Sequence, residues 1–92
     1  MSVAEQMRRK LELALSPAEL EIADDSHLHA GHAGARPGGE SHFRIRVVAS
    51  AFRGLTRVER QRRIYAVLTE ELSGPVHALQ ITASAPEDPP SA

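Results

Sequence analysis

A stretch of fifteen residues without hydrophobic periodicity, Ser26 to Glu40, interrupts the chain and limits how the flanking segments can fold. It contains four glycines and one proline, a composition typical of a loop. The segment before it, Leu20 to Asp25, suits a short strand, and the segment that begins at Phe43 alternates as a half-buried strand does. We therefore expect the two to pair as an antiparallel hairpin. Loops this long inside compact domains are usually functional or disordered.

The chain has 92 residues and no cysteine. A chain of this length forms one thin core, because it buries only about 60–65% of its unfolded surface, and the missing thiols exclude a disulfide framework. There is no apolar run long enough for a membrane span, and the early Glu5 argues against a signal peptide. We predict one domain over residues 1–84, a disordered tail over 85–92 and a cytoplasmic location.

Two helices and a third strand complete the predicted order α-β-β-α-β. Ser2 and Glu5 have the spacing of a capping box, and the apolar residues that follow predict a first helix from about Val3 to Leu15. A third strand is expected from Val76 to Ala83. The fold class is therefore α+β with a three-stranded sheet packed by helices.

The second helix is predicted to run from a capping box at Thr56 and Glu59 to about Leu72. Ser73-Gly74-Pro75 is expected to end it through a left-handed glycine followed by proline. One apolar stripe should face the core, and it consists of Val58, Tyr65, Leu68 and Leu72, flanked by Ile64 and Val67.

The middle of the chain is strongly basic. Residues 41–69 carry seven arginines and one glutamate, whereas the segments on either side are acidic. A basic segment can contact nucleic acid through phosphates, and on the second helix the candidates are Arg57, Arg60, Arg62 and Arg63. The alternative is a solvated helix face, and the chain has only one tyrosine, two phenylalanines and no tryptophan for base stacking.

Histidines are the only soft metal ligands that this chain has in quantity. His27, His29 and His32 fall in the predicted loop, and imidazole binds zinc, copper, nickel and iron. The alternative is that these side chains bond to the backbone or face water, since no Cys-x-x-Cys or His-Glu-x-x-His pattern is present. His77 follows a Gly-Pro turn, so it is either a core histidine or a site residue at a strand end.

Four motifs in order resemble the BolA family. They are D-D-S-H-x-H-A-G-H-A-G from Asp24, E-S-H-F from Glu40, F-x-G-L-T-R-V-x-R-Q-R-x-x-Y from Phe52 and G-P-V-H-A-L from Gly74. The resemblance covers roughly residues 3 to 83. It implies a fold similar to a class II KH domain, α-β-β-α-β, which agrees with the order predicted from the residues.

The resemblance implies a non-enzymatic adaptor that binds a monothiol glutaredoxin and shares a 2Fe-2S cluster with it. Glutaredoxin and glutathione supply the thiolates, and His77 corresponds to the family's C-terminal histidine ligand. Counting from Asp24 places the family's loop histidine at His29, whereas counting back from Phe43 places it near His32, so both are candidates. His27 and His42 are expected to be structural or surface residues.

Transcriptional regulation is the alternative function. Some BolA-like proteins are linked to transcription through DNA binding, and the arginine-rich helix in a KH-like context fits that activity. Catalysis is not expected, because the chain has no G-x-S-x-G elbow and a thin core encloses little pocket.

Overall fold

A computed structural model describes residues 2–25 and 42–88 of the chain. Its elements are the helix α1 (Val3–Leu15), the strands β1 (Glu19–Asp24) and β2 (His42–Val48), a 3-10 turn (Ser50–Phe52), the helices α2 (Arg57–Val67) and α3 (Thr69–Ser73), and the strand β3 (Ala78–Ser84). Among these described residues no helix has the length and apolar character needed to cross a membrane.

Local signals set both ends of α1. The Ser2 hydroxyl accepts a hydrogen bond from the backbone N–H of Glu5 at 3.1 Å, which satisfies a helix N–H that has no partner within the helix. Ser16 ends the helix in the left-handed region, with φ of 44°, and its N–H bonds to the Glu12 carbonyl. The predicted first helix is confirmed with the same bounds.

The three strands form one sheet in the order β1-β2-β3. β1 and β2 are antiparallel, with Ile22 opposite Ile45, so the predicted hairpin is confirmed. β3 runs parallel to β2 on its other side, with Ile81 opposite Ile45. A parallel neighbour requires a crossover connection, and α2 and α3 provide it.

The core lies between one face of the sheet and the helices. Its most deeply buried members are Met7, Leu11, Ile45, Val47, Phe52, Ile64 and Leu68. The opposite face of the sheet carries exposed polar side chains such as Arg44, Arg46 and Gln80. Such one-sided burial is usual for antiparallel pairs.

The second helix departs from the prediction in its length and in the face that it buries. It ends at Val67, and Leu68 separates it from α3. Ile64 and Leu68 are fully buried, whereas Val58 is 54% exposed and Tyr65 is 42% exposed. The predicted stripe was therefore wrong in part. The helix has two overlapping apolar faces. The face that carries Ile64 packs against the sheet and is buried.

The turn after α3 also differs from the prediction. Gly74 has φ of −118° and ψ of −110°, so it is not left-handed. The turn is closed instead by the Glu71 carbonyl, which accepts hydrogen bonds from the N–H groups of Gly74 and Val76. β3 consequently begins at Ala78, two residues later than predicted.

The fold continues beyond β3. The tail was expected to begin at Ala85, but Ala85 is buried in the core. Its N–H bonds to the Asp88 carboxylate, and the Asp88 N–H bonds to the Ala85 carbonyl, each at 3.0 Å. Residues 85–88 are therefore a structured turn, and residues 89–92 lie outside the described part of the chain.

Candidate metal-binding site at one end of the sheet

His77 lies between the Gly74-Pro75 turn and the first residue of β3. Its side chain is exposed, so the interpretation as a buried core histidine is wrong. Because the strand starts at Ala78, His77 lies outside the strand whose Leu79 and Ile81 side chains pack, partly buried, against the core. The imidazole is therefore accessible to a ligand or a partner protein.

His42 is a second metal-ligating side chain close to His77. The two ring centroids are 6.5 Å apart and the ring planes are tilted by 43°. His42 opens β2 and pairs with Ala78, the residue directly after His77. Sequence reasoning missed this proximity, because it depends on the register between two strands that are far apart in the chain.

Two shallow clefts border the histidine pair. One, of about 230 Å³, includes His42, Asp25 and Arg44 in its lining, and the other, of about 480 Å³, is formed by Val3, Gly74, Pro75 and His77. Arg44 donates to the Asp25 carboxylate. That hydrogen bond raises the pKa of the Arg44 guanidinium, so a paired, permanently charged cation lies beside the histidine pair.

The described residues do not complete a metal site by themselves. Residues 2–25 and 42–88 contain no group of three or more His, Cys, Asp or Glu side chains placed to hold an ion. His27, His29 and His32 lie outside the described residues. The donors present are two imidazoles, which suit zinc, copper, nickel or an iron of a cluster. A metal ion held by these two imidazoles would need further ligands.

The four candidate arginines of α2 have different environments. Arg60 is largely buried, with 14% of its side chain exposed. It donates to the carbonyls of Leu55 and Ala83 at 3.1 and 3.2 Å and to the carboxylate of Asp88. Arg60 therefore joins α2 to the end of β3, a structural role that the sequence did not indicate.

The remaining three, Arg57, Arg62 and Arg63, are exposed. Within the part of the chain that the structure describes, none of them forms an ion pair. Val58 and Tyr65 precede and follow Arg62 at spacings of four and three residues, which places them on the same helix face. The exposed face of α2 thus combines basic and apolar side chains.

These features define a class of protein: a small α+β domain with a mixed three-stranded sheet, a basic second helix and an exposed histidine before the last strand. A family model described as BolA-like protein matches residues 11–88. The chain belongs to the BolA family, as the sequence motifs predicted.

Known proteins of this family are similar to the chain in sequence and in fold. The chain is 54% identical over 80 residues to BolA-like protein 1 of Pongo abelii, covering 87% of this chain and 56% of that protein. It is 35% identical to the DNA-binding transcriptional regulator BolA of Haemophilus influenzae, covering 96% and 82%. The BolA domain of SufE1 from Arabidopsis thaliana superposes with a TM-score of 0.83 at 45% identity, covering 94% of each chain. The chain spans about half the length of several curated relatives it matches.

Proposed function

We propose that this protein is an adaptor that pairs with a monothiol glutaredoxin and co-ligates a 2Fe-2S cluster, in cluster trafficking or iron regulation. The observation that carries the proposal is the exposed imidazole of His77 before β3 in a chain of the BolA family. The chain has no cysteine, so the glutaredoxin and glutathione supply the thiolates.

His77 is the proposed fixed ligand. A neutral imidazole in place of a thiolate raises the reduction potential of the cluster, as in Rieske centres. Ligation also depends on pH, because a protonated imidazole has no free lone pair for iron. His29 and His32 stay the candidates for a second ligand from the predicted loop. A cytoplasmic location belongs to the same proposal, since a reducing compartment keeps partner thiols available.

The test is to mix the protein with a cluster-loaded monothiol glutaredoxin and record visible circular dichroism. We expect a new spectrum for the mixture, and we expect His77→Ala to abolish it. His27→Ala is the matched control and should keep the wild-type spectrum. An unchanged spectrum with His77→Ala would show that His77 is not a ligand. If the wild-type mixture gives only the spectrum of glutaredoxin, the partnership itself is wrong.

A DNA-binding regulator is the second candidate. Its support is the exposed basic face of α2, where Arg57, Arg62 and Arg63 have no carboxylate partner among the described residues. Phosphate groups are suitable counter-charges for such a face. The Haemophilus influenzae relative named as a DNA-binding regulator points in the same direction.

Duplex DNA binding measured over a series of salt concentrations tests this candidate. We expect Arg62→Glu to weaken binding and to reduce the slope of log K against log salt by about 0.9 for each DNA phosphate that the variant no longer neutralises. Arg9→Glu is the control, since it makes the same charge change on the exposed face of α1. If the two variants weaken DNA binding equally, the binding responds only to net charge, and this result would contradict a DNA-binding function of α2.

A further inference from the structure

We propose that His42 and His77 form a two-imidazole metal site, in which His42 is a second ligand that this chain contributes. The part of this proposal in which His42 ligates the 2Fe-2S cluster rests on the proposed function. The part in which the two histidines bind a metal ion rests only on their positions. Both parts assign a ligand role to His42, which the sequence predicted to be a structural or surface residue.

The distance between the rings is the first argument. Metal–nitrogen bonds of about 2.0–2.1 Å place the centroids of two imidazoles on one tetrahedral ion roughly 5 Å apart. The observed separation is 6.5 Å, roughly 1.5 Å more than that, and rotation of the exposed His77 side chain can close the gap. Tetrahedral ligation does not require parallel rings, and the 43° tilt is therefore no obstacle.

The backbone around His42 is the second argument. The parallel ladder pairs His42 with Ala78, and the N–H of Asp25 bonds to the His42 carbonyl at 2.7 Å. Hydrogen bonds to both neighbouring segments hold the Cα of His42 in place. A ligand whose backbone is already fixed loses little conformational entropy when it binds an ion. His42 therefore needs little backbone ordering to bind the same ion as His77.

The third argument is the number of donors. A 2Fe-2S cluster has four terminal ligands, two on each iron, so two imidazoles would fill two of them and leave two for thiolates. In Rieske centres two histidines replace two cysteines on one of the two irons. The histidine pair would therefore supply half of the terminal ligands of the cluster. This agrees with the lack of a third ligating side chain beside them among the described residues.

Copper(II) titration of the full-length chain tests the site without any partner. Copper is the probe because it heads the affinity order of the divalent first-row metals. The starting variant replaces His27, His29 and His32 by alanine, so that His42 and His77 are the only histidines left. We expect one bound ion, with hyperfine splitting from two nitrogens in the electron paramagnetic resonance spectrum.

On that background, His42→Ala and His77→Ala should each lower copper affinity by about tenfold or more, because a chelate becomes a single imidazole ligand. His42→Asn is the second variant in case alanine disturbs β2, and far-ultraviolet circular dichroism reports whether each variant folds. Copper affinity that is unchanged in a folded His42 variant overturns the proposal.

The glutaredoxin mixture decides the role of His42 toward the cluster. In the otherwise wild-type chain, a His42→Asn spectrum that differs from the wild-type spectrum supports ligation by His42. An identical spectrum overturns that assignment. If the wild-type mixture forms no shared cluster, the proposed function fails, and the copper result still decides whether the two-imidazole site exists.

Discussion

Two arginines that are neighbours in the same basic run have opposite roles. Arg60 is largely buried and bonds to Leu55, Ala83 and Asp88, whereas Arg62 is exposed. A buried guanidinium must find acceptors for its N–H groups, and these are the carbonyls of Leu55 and Ala83 and the carboxylate of Asp88. Residue type alone does not distinguish the two arginines, because the difference comes from the face of α2 on which each lies.

The interaction between Arg60 and Asp88 makes stability depend on pH. The hydrogen bond from Arg60, together with one from the Ala85 backbone, holds the pKa of the Asp88 carboxyl below its ordinary value. A group with a lowered folded-state pKa stabilises the fold above its unfolded pKa of about 4. That contribution disappears as the pH falls through the lower folded value.

Asp88→Asn should therefore reduce the free energy of unfolding at pH 7 and flatten its decline as the pH falls below about 4. Urea unfolding at a series of pH values measures both effects. Glu12→Gln, on the exposed face of α1, serves as the control and should retain the wild-type profile. Parallel profiles for Asp88→Asn and the wild type would contradict the assignment of this pH dependence to Asp88.

The start of α2 is set by a local motif that operates within one turn of the helix. Thr56 accepts a hydrogen bond from the Glu59 N–H at 3.1 Å, and the Glu59 carboxylate accepts one from the Thr56 N–H at 2.7 Å. Both partners lie within four consecutive residues, so the sequence was sufficient to predict this boundary.

Thr56→Ala should lower the free energy of unfolding by about 1 kcal/mol, because a backbone N–H of the first turn loses its acceptor. Thr56→Ser keeps a hydroxyl at the same position and should retain most of the stability. Urea unfolding of the three proteins gives the comparison. Equal destabilisation by alanine and serine would show that the methyl group, and not the hydrogen bond, stabilises this end.

The end of α2 did not follow from local signals. The sequence predicted one helix to about Leu72, ended by Ser73-Gly74-Pro75, but the helix is interrupted at Leu68, whose φ and ψ are −103° and 22°. Leu68 is fully buried, and the break lets the short helix α3 continue from it. Packing of the buried side chains decides such a break, and no local residue pattern indicates it.

Over the whole molecule, tertiary interactions neutralise much of the basic segment. Arg44 pairs with Asp25, Arg46 with Glu19 and Glu21, Arg53 with Glu87 and Arg60 with Asp88. Each of these carboxylates comes from an acidic segment outside residues 41–69. Among the described residues, the exposed unpaired charge of the basic segment is thereby concentrated on α2, a smaller surface than the sequence alone suggested.

The sequence by itself determined the family, the order of the elements, the bounds of α1, the start of α2 and the hairpin. These follow from motifs, alternation and capping residues, which act over a few neighbouring positions. Only the tertiary structure decided which face of α2 is buried, which arginines stay exposed and which histidine lies next to His77. Those outcomes depend on strand register and helix packing, which bring together residues that are far apart in the chain.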